Sequence, residues 1–281
     1  MTSTVDLHIH TTASDGSDSP SRLLENLRNA GITIFAVTDH DTIDGALEME
    51  SLVTDQFRFL RGIEFSCQSP AGKCHILGYG FDPDHPAFQA ALAEGRQLRQ
   101  EKLETRIHYL RSVLGIELTD RENLWLRSLK SPGKPHFGQI VLSRGMADSI
   151  DLAIQKYINP CKVLRDRIEA ETAIKAICAA GGIPVWAHPL GGEGEKRLTV
   201  EKFQAQLKIL LGYGIQGLEC HYSRYDPADQ KFLTAQAERH GLLTTGGSDY
   251  HGTNKKDLNL GQLSADCSPV LPESLTILNR L

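Results

Sequence analysis

The sequence predicts an α/β protein built on a largely parallel sheet, open or closed into a barrel. Two observations predict it. Short apolar runs alternate with helical segments over most of the chain, and five of those runs end in histidine, aspartate or glutamate. Strands of a parallel sheet are buried on both faces, so they read as continuous apolar stretches. Their C-terminal ends converge on one face of the fold, where residues distant in sequence can share a site.

The elements follow in order. Val5 to Ile9 is the first strand candidate. Ser19-Pro20 reads as the N-cap and first position of a helix that Gly31 closes. Ile34-Phe35-Ala36-Val37 is a second buried strand, and a helix follows Asp41-Thr42. Phe57 to Ile63 and Cys74 to Tyr79 are the next strands, with the turn residues Ser69-Pro70-Ala71-Gly72 between them. From Pro86 to about Tyr157 the strand signals vanish and stretches rich in Arg, Leu and Glu take over, such as Phe88 to Leu114. Thr119-Asp120-Arg121-Glu122 there matches a capping box. Residues 86–157 are expected to form an all-helical insert domain, and residues 1–85 and 158–281 the barrel domain. The alternation then resumes: a helix near Glu169 to Ala180, strand Ile183 to Ala187, a helix from Thr199 and strand Ile215 to Cys220. A helix from Asp226-Pro227 and strand Leu242 to Thr245 complete it.

Composition narrows the function. Lys plus Arg is 30 and Asp plus Glu is 35, a net charge of -5. Proteins that live on phosphate-backbone contacts show a basic excess, so stable DNA binding is not expected. The six cysteines form no C-x-x-C pair, which excludes a zinc knuckle and suggests no disulfide framework. No apolar stretch approaches the roughly 18 residues of a membrane span. The start, Met-Thr-Ser-Thr-Val-Asp, has neither a basic nor an apolar leader region, so a cytoplasmic location is expected.

The chemistry sits at the strand ends. These read Asp6-Leu7-His8-Ile9-His10, Thr38-Asp39-His40-Asp41, Gly62-Ile63-Glu64, Ala187-His188-Pro189 and Gly247-Ser248-Asp249-Tyr250-His251. His8 and His10 are two apart on extended chain, so both leave one face, about 7 Å apart at Cα. Neutral imidazole with carboxylate suits Zn, Mn or Fe, whereas an all-oxygen Mg or Ca cage needs no such run of histidines. Buried together without a cation, these groups would carry a large desolvation cost.

His8-Ile9-His10, Asp15 within Thr11-Thr12-Ala13-Ser14-Asp15-Gly16, Thr38-Asp39-His40-Asp41, Glu64, His75, Ala187-His188-Pro189 and Ser248-Asp249-Tyr250-His251 together resemble the motif set of the PHP (polymerase and histidinol phosphatase) superfamily. The resemblance implies a distorted (β/α)7 barrel with a small helical insert, and three divalent metal ions: manganese first, iron or zinc as alternatives. His8, His10, Glu64 and Asp249 would hold one metal. Glu64 would bridge to a second, completed by His75 and His188, and Asp15, His40 and His251 would hold the third. Asp39 and Asp41 read as orienters of those ligands or as helix caps.

Lys134-Pro135-His136-Phe137 is similar to an Arg/Lys-Pro-His motif in the insert of small PHP phosphoesterases, including nucleotide phosphatases and 5′→3′ exoribonucleases. There it meets the substrate phosphate. The resemblance therefore implies a phosphoesterase acting on a small mono- or diester by metal-held hydroxide. Lys134, His136 and Arg224 are the expected substrate contacts, and Glu64, His136 and His221 the catalytic candidates. A nucleotide bisphosphate, a cyclic phosphodiester, an RNA 5′ end and histidinol phosphate are the candidate esters. An amidohydrolase-type C–N hydrolase is the competing reaction class. Cys67 and Cys74 read as small buried hydrophobes, and His85, His108 and His240 as surface residues.

Overall fold

The computed structural model describes residues 4–192 and 196–281 of the chain. Its strands are β1 (Val5–Asp6), β2 (Ile34–Val37), β3 (Arg58–Ser69), β4 (Gly72–Tyr79), β5 (Ile168–Glu169), β6 (Ile183–Trp186), β7 (Gly217–Tyr222) and β8 (Leu243–Gly247). All but β5, which pairs with β3, lie on one path in the order β1-β2-β3-β4-β6-β7-β8. The path closes on itself. The Leu7 amide donates to the Gly246 carbonyl at 3.1 Å, the Asp249 amide donates to the His8 carbonyl at 2.9 Å, and Ile9 bridges Tyr250. Gly247 permits this approach, since a Cβ there would stand 2.2 Å from the His8 Cβ.

This is the distorted (β/α)7 barrel that the motifs imply, and its distortion has a local cause. β4 runs antiparallel to both β3 and β6, whereas the other pairings are parallel. A tight turn at Ser69–Gly72 returns the chain directly, with Gly72 at φ 140, so no crossover helix separates these two strands. β3 also runs well past the apolar stretch that ends at Ile63. It continues through Glu64 because β4 pairs with it from Gly62 opposite Tyr79 to Ser69 opposite Gly72.

Outside the sheet lie α1 (Pro20–Ala30) and α2 (Asp44–Leu52), then four helices between β4 and β5. These are α3 (Pro86–Leu114), α4 (Asp120–Ser128), α5 (Lys134–Ser143) and α6 (Ile150–Ala153), and α6 runs on into a π-helical turn, Ile154–Ile158. After β5 come α7 (Ala170–Ala179), α8 (Val200–Tyr213) and α9 (Pro227–His240). The capping signals act as the sequence suggests. The side chains of Ser19, Thr199 and Asp226 accept first-turn amides, Thr119 and Glu122 form a reciprocal box, and Gly31 closes α1 at φ 74.

α3 belongs to two cores. At about 1.5 Å per residue its 29 residues span roughly 43 Å. Phe88, Ala91, Leu92 and Leu98 pack with Ile63, Phe65 and Phe81 of the barrel. Leu103 and Leu110 pack instead with Ile116, Leu126, Phe137, Ile140 and Ile158 in a separate helical core. The expected boundary at residue 86 therefore falls at the start of a helix that both units share. At the other end of the barrel, Val270, Leu275, Ile277 and Leu278 pack against Val5, Leu60, Tyr79 and Ile183. They seal the end where the parallel strands begin and leave the C-terminal mouth as the open one. Among the described residues, no helix is long and apolar enough to cross a membrane.

Candidate metal centre

The barrel mouth gathers all nine expected ligands. His8 and His10 follow β1, His40 follows β2, His188 follows β6, and Asp249 and His251 follow β8. Glu64 lies inside β3, level with His40, to which it bridges. His75 stands near the start of β4, and the reversed direction of that strand brings its start, rather than its end, to the mouth.

Glu64 is the centre, 1% exposed. Its Oε2 lies 3.3 Å from His8 Nε2, 3.2 Å from His10 Nε2 and 3.0 Å from His40 Nδ1. Its Oε1 lies 2.8 Å from His75 Nδ1 and 3.1 Å from His188 Nε2. Asp249 Oδ1 is 3.3 Å from His10 Nε2, and Asp15 Oδ1 is 3.3 Å from His251 Nε2. Three overlapping groups each keep their ligand atoms within 4.8 Å: His10, Asp15, His40 and His251; His8, His10 and Asp249; His40, Glu64 and His75.

Buried polar atoms ordinarily find hydrogen-bond partners. His8 Nε2, His10 Nε2, Asp15 Oδ1, His40 Nδ1 and Glu64 Oε2 are buried without one, and all five belong to this cluster. A divalent cation accepting their lone pairs would supply what is missing, and the mixed imidazole and carboxylate set fits Mn, Fe or Zn. The outward nitrogens of the rings are held in place. His8 Nδ1 meets Glu219 Oε1 at 2.9 Å, His10 Nδ1 meets Ser14 Oγ at 3.4 Å, and His251 Nδ1 meets the Asp249 carbonyl at 2.8 Å. Such contacts fix tautomer and orientation for the inward lone pair.

The electrostatics favour positive charge in the middle of the cluster. Burial opposes protonation of His8 and His10, yet Glu219 and Glu64 outweigh it at His8, and Asp249 and Glu64 push His10 up to about 9. At His40 burial prevails and brings the imidazole down to about 3. Burial would raise the Glu64 carboxyl, but His40, His75 and His8 hold it well below the usual carboxylate range. Backbone strain collects here too. Asp41, His188 and Asp249 are non-glycine residues at φ 52, 29 and 58, a conformation retained where the surroundings over-determine it.

The two flanking aspartates orient rather than ligate. Asp39 accepts from the Thr11 amide and hydroxyl, both at 2.7 Å, and from Ser14 Oγ at 2.5 Å, which fixes the loop between His10 and Asp15. Asp41 accepts from the Ser66 amide at 2.9 Å and from Arg99 Nε at 2.6 Å. Two orienters escape the sequence reading. Asp6 accepts from the Ser248 amide and hydroxyl and the Gly261 amide at 2.6–2.9 Å, tying β1 to the loop that carries Asp249. Glu219 holds both His8 Nδ1 and, at 2.7 Å, the His188 amide. Its only sequence signal is an acid within the apolar run Gly217-Leu218-Glu219-Cys220.

Above the candidate ligands opens a cleft of about 560 Å³. Lys134, on the first turn of α5, lines it and donates to Asn159 Oδ1 at 2.7 Å. His136 is buried behind it, with its Nδ1 accepting from the Gly133 amide at 2.9 Å. Arg224 and His221 are not among the residues lining the cleft. Arg224 donates to Asp257 at 2.6 Å, and His221 faces α9, with Gln230 Oε1 at 3.1 Å from its Nδ1. A register shift between Glu219 and His221 turns Tyr222, rather than His221, to the site, where its hydroxyl donates to Asp249 at 3.1 Å. Cys67 and Cys74 are buried directly opposite each other on β3 and β4. His85, expected on the surface, caps α3 by accepting the Ala87 amide.

The fold and this cluster of candidate ligands define the class, a PHP-type barrel. The family model of the PHP domain matches residues 6–239, and the chain belongs to that family. It is 28% identical over 276 residues to a 3′,5′-nucleoside bisphosphate phosphatase of Chromobacterium violaceum, covering 96% of this chain and 95% of that one. It is also 28% identical to a 5′-3′ exoribonuclease of Haemophilus influenzae, covering 89% and 91%. Among solved structures it superposes on a metal-dependent phosphoesterase from Bifidobacterium adolescentis with a TM-score of 0.79 and 26% identity, covering 94% and 93%.

Proposed function

We propose that this chain is a metal-dependent hydrolase of small phosphate esters, with nucleotide esters as its substrates. The observation that carries the reading is Glu64 at the meeting point of five imidazoles, with unpartnered buried ligand atoms around it and a cation-lined cleft above. In this reading His8, His10, Glu64 and Asp249 hold one metal, Glu64, His75 and His188 a second, and Asp15, His40 and His251 a third. Divalent cations bound there would neutralise phosphoryl oxygens and lower the pKa of a water toward 7. Glu64 uses its two oxygens on different ligand groups and so fixes their spacing. Lys134 meets the phosphate from the insert side. His136, whose Nδ1 accepts the Gly133 amide, carries its hydrogen on Nε2 and can offer it as a hydrogen bond to a phosphate oxygen, while water protonates the leaving oxygen.

The test is a panel of phosphomonoesters, linear and cyclic diesters and amides, offered to protein loaded with Mn, Fe or Zn, with metal content read by elemental analysis. Hydrolysis of phosphate esters alone, with close to three metals per chain, is expected. Turnover of amides in place of phosphates would replace this reading with a C–N hydrolase. The relatives' names favour a nucleotide bisphosphate or an RNA end over histidinol phosphate.

Two substitutions probe the supporting residues. Glu219→Gln keeps the shape but weakens the hold on His8, and should cost about 10- to 100-fold in metal affinity, read by competition with a chelator. Lys134→Ala should lower kcat/KM by about 10- to 100-fold, the effect of one charge-assisted phosphate contact, with metal content unchanged. Arg224 starts from its ion pair with Asp257, so Arg224→Ala should cost less than Lys134→Ala. A Lys134→Ala enzyme with wild-type kcat/KM would make the start of α5 a structural wall only.

A further inference from the structure

The helical insert holds the candidate ligands at places that the phosphate chemistry does not use. Ser131, fully buried in the link between α4 and α5, donates to the backbone carbonyl of His40 at 2.6 Å. Gln139, on α5, donates to Asn254 Oδ1 at 3.2 Å, and Asn254 in turn donates to the Asp15 carbonyl at 2.8 Å. Asn254 ends the short 3₁₀ turn that follows His251, and its amide donates to the His251 carbonyl at 3.4 Å. This turn grips the loop of Asp15 at a second point. The Thr253 amide donates to Ser17 Oγ at 2.8 Å, and the Ser17 amide donates to the His251 carbonyl at 3.1 Å. Gly252 lets the two loops meet, because it stands at φ 64 and a Cβ there would run into Ser17 Oγ. Gly133, which precedes α5, comes close as well: a Cβ on it would lie 3.3 Å from Asp15 Oδ2.

These contacts converge on Asp15, His40 and His251, the group read above as the third metal position. The other two positions are held from within the barrel. Both share Glu64 inside β3, and Glu219 on β7 holds His8 Nδ1 and the His188 amide. No member of the third group lies within β1 to β8, so its spacing depends on what its loops pack against. We infer that Ser131 and Gln139 are positioning residues for this group, so that docking of the helical insert and occupancy of the third metal position depend on each other. The inference rests on the three-metal reading above and adds to it an order of filling and its cause. An insert that lifts from the barrel withdraws both contacts, and the loops of His40 and Asp15 lose the partners that set the spacing of their ligand atoms. Linkage requires the converse: a cation that draws Asp15, His40 and His251 together strengthens the seat of the insert by the same factor. α5 also presents Lys134 to the cleft. A chain short of the third metal is thus also short of its phosphate contact, and this position fills last.

The experiment starts from the Mn-loaded enzyme and lowers free Mn in steps with a chelator. Bound metal is read by elemental analysis and the insert by amide hydrogen exchange. Wild type is expected to release one metal before the other two, and exchange in α5 should quicken with that first step alone. Gln139→Met keeps the length of the side chain but removes the donor, and Ser131→Ala removes the buried hydroxyl. Each should release the first metal at a free Mn concentration about 10- to 100-fold higher than wild type does, with the other two leaving where they do in wild type. Gln139 is only partly buried, so its variant carries the test if Ser131→Ala fails to fold. Variants that hold all three metals as wild type does, or that weaken all three alike, overturn the inference. So does exchange in α5 that ignores the first release. A wild-type chain that never holds a third metal overturns the three-metal reading and this inference with it, whereas ester hydrolysis with two metals would leave the phosphoesterase reading standing.

Discussion

Glu64→Gln is expected to lower kcat/KM by more than about 1000-fold and to reduce the metal content, with the fold retained. The carboxylate offers two equivalent acceptors, and both are used. Oε2 faces His8, His10 and His40, and Oε1 faces His75 and His188, all within 3.3 Å. Glutamine keeps one acceptor and turns an NH₂ donor toward the other group of ring nitrogens. A cation that shared the missing oxygen is then opposed rather than held. Changes to residues that merely orient metal ligands cost about 10- to 100-fold, so loss of a shared carboxylate must exceed that. The strand should tolerate the change, because β3 is paired on both sides of Glu64 and the flanking Ile63 and Phe65 are fully buried. Turnover and elemental analysis on the same preparation check it. A variant that kept more than about a tenth of wild-type activity would falsify the bridging role.

What the sequence discloses about this site follows from how each residue is held. Ligands on parallel strands were legible, because an apolar run ending in His-x-His or Asp-x-His marks both the strand and the mouth of the barrel. His75 has no such mark. It opens an antiparallel strand, so the rule that ligands stand at strand ends does not reach it, and only the family motif does. The apolar run of β3 stops before Glu64 for a related reason: a buried carboxylate interrupts it while the ladder with β4 carries on. Glu219 is hidden because an acid in a strand signals little until His8 and the His188 amide are found on its two oxygens. Three cations that line the cleft are hidden as well. Arg99, Lys102 and Arg106 lie in a stretch that the sequence marks only as helical and rich in Arg, Leu and Glu. They are buried because α3 spans the barrel and the helical core and turns that face into the cleft between them. His221 shows the converse limit, since a register shift in β7 decides which neighbour faces the candidate ligands.

Stripping the metals is expected to lower the melting temperature by on the order of 10 °C without unfolding the chain at room temperature. Ligands that bind only the native state stabilise by mass action, about 4 kcal/mol at a free concentration 1,000 times Kd. For a chain of this size each kcal/mol is worth roughly 2–4 °C. The fold should survive because the cluster can neutralise itself in part. Carboxylates hold His10 at about 9 and raise His8 well above its ordinary value, so protons occupy positions that cations would otherwise fill. The cores on both sides of α3 and the sealed lower end of the barrel are built without any of the nine ligands. Protons cannot replace the metals fully, however. Burial keeps His40 down at about 3, so its Nδ1 stays neutral and unpartnered beside Glu64. That residual cost is what the melting temperature should report. Differential scanning calorimetry on protein treated with chelator, then reloaded with Mn, Fe or Zn, measures it, and elemental analysis confirms each state. Recovery should be graded with free metal concentration and smaller in Glu64→Gln. A melting temperature indifferent to verified removal of every metal would mean that these side chains form a self-sufficient hydrogen-bonded cluster rather than a metal centre.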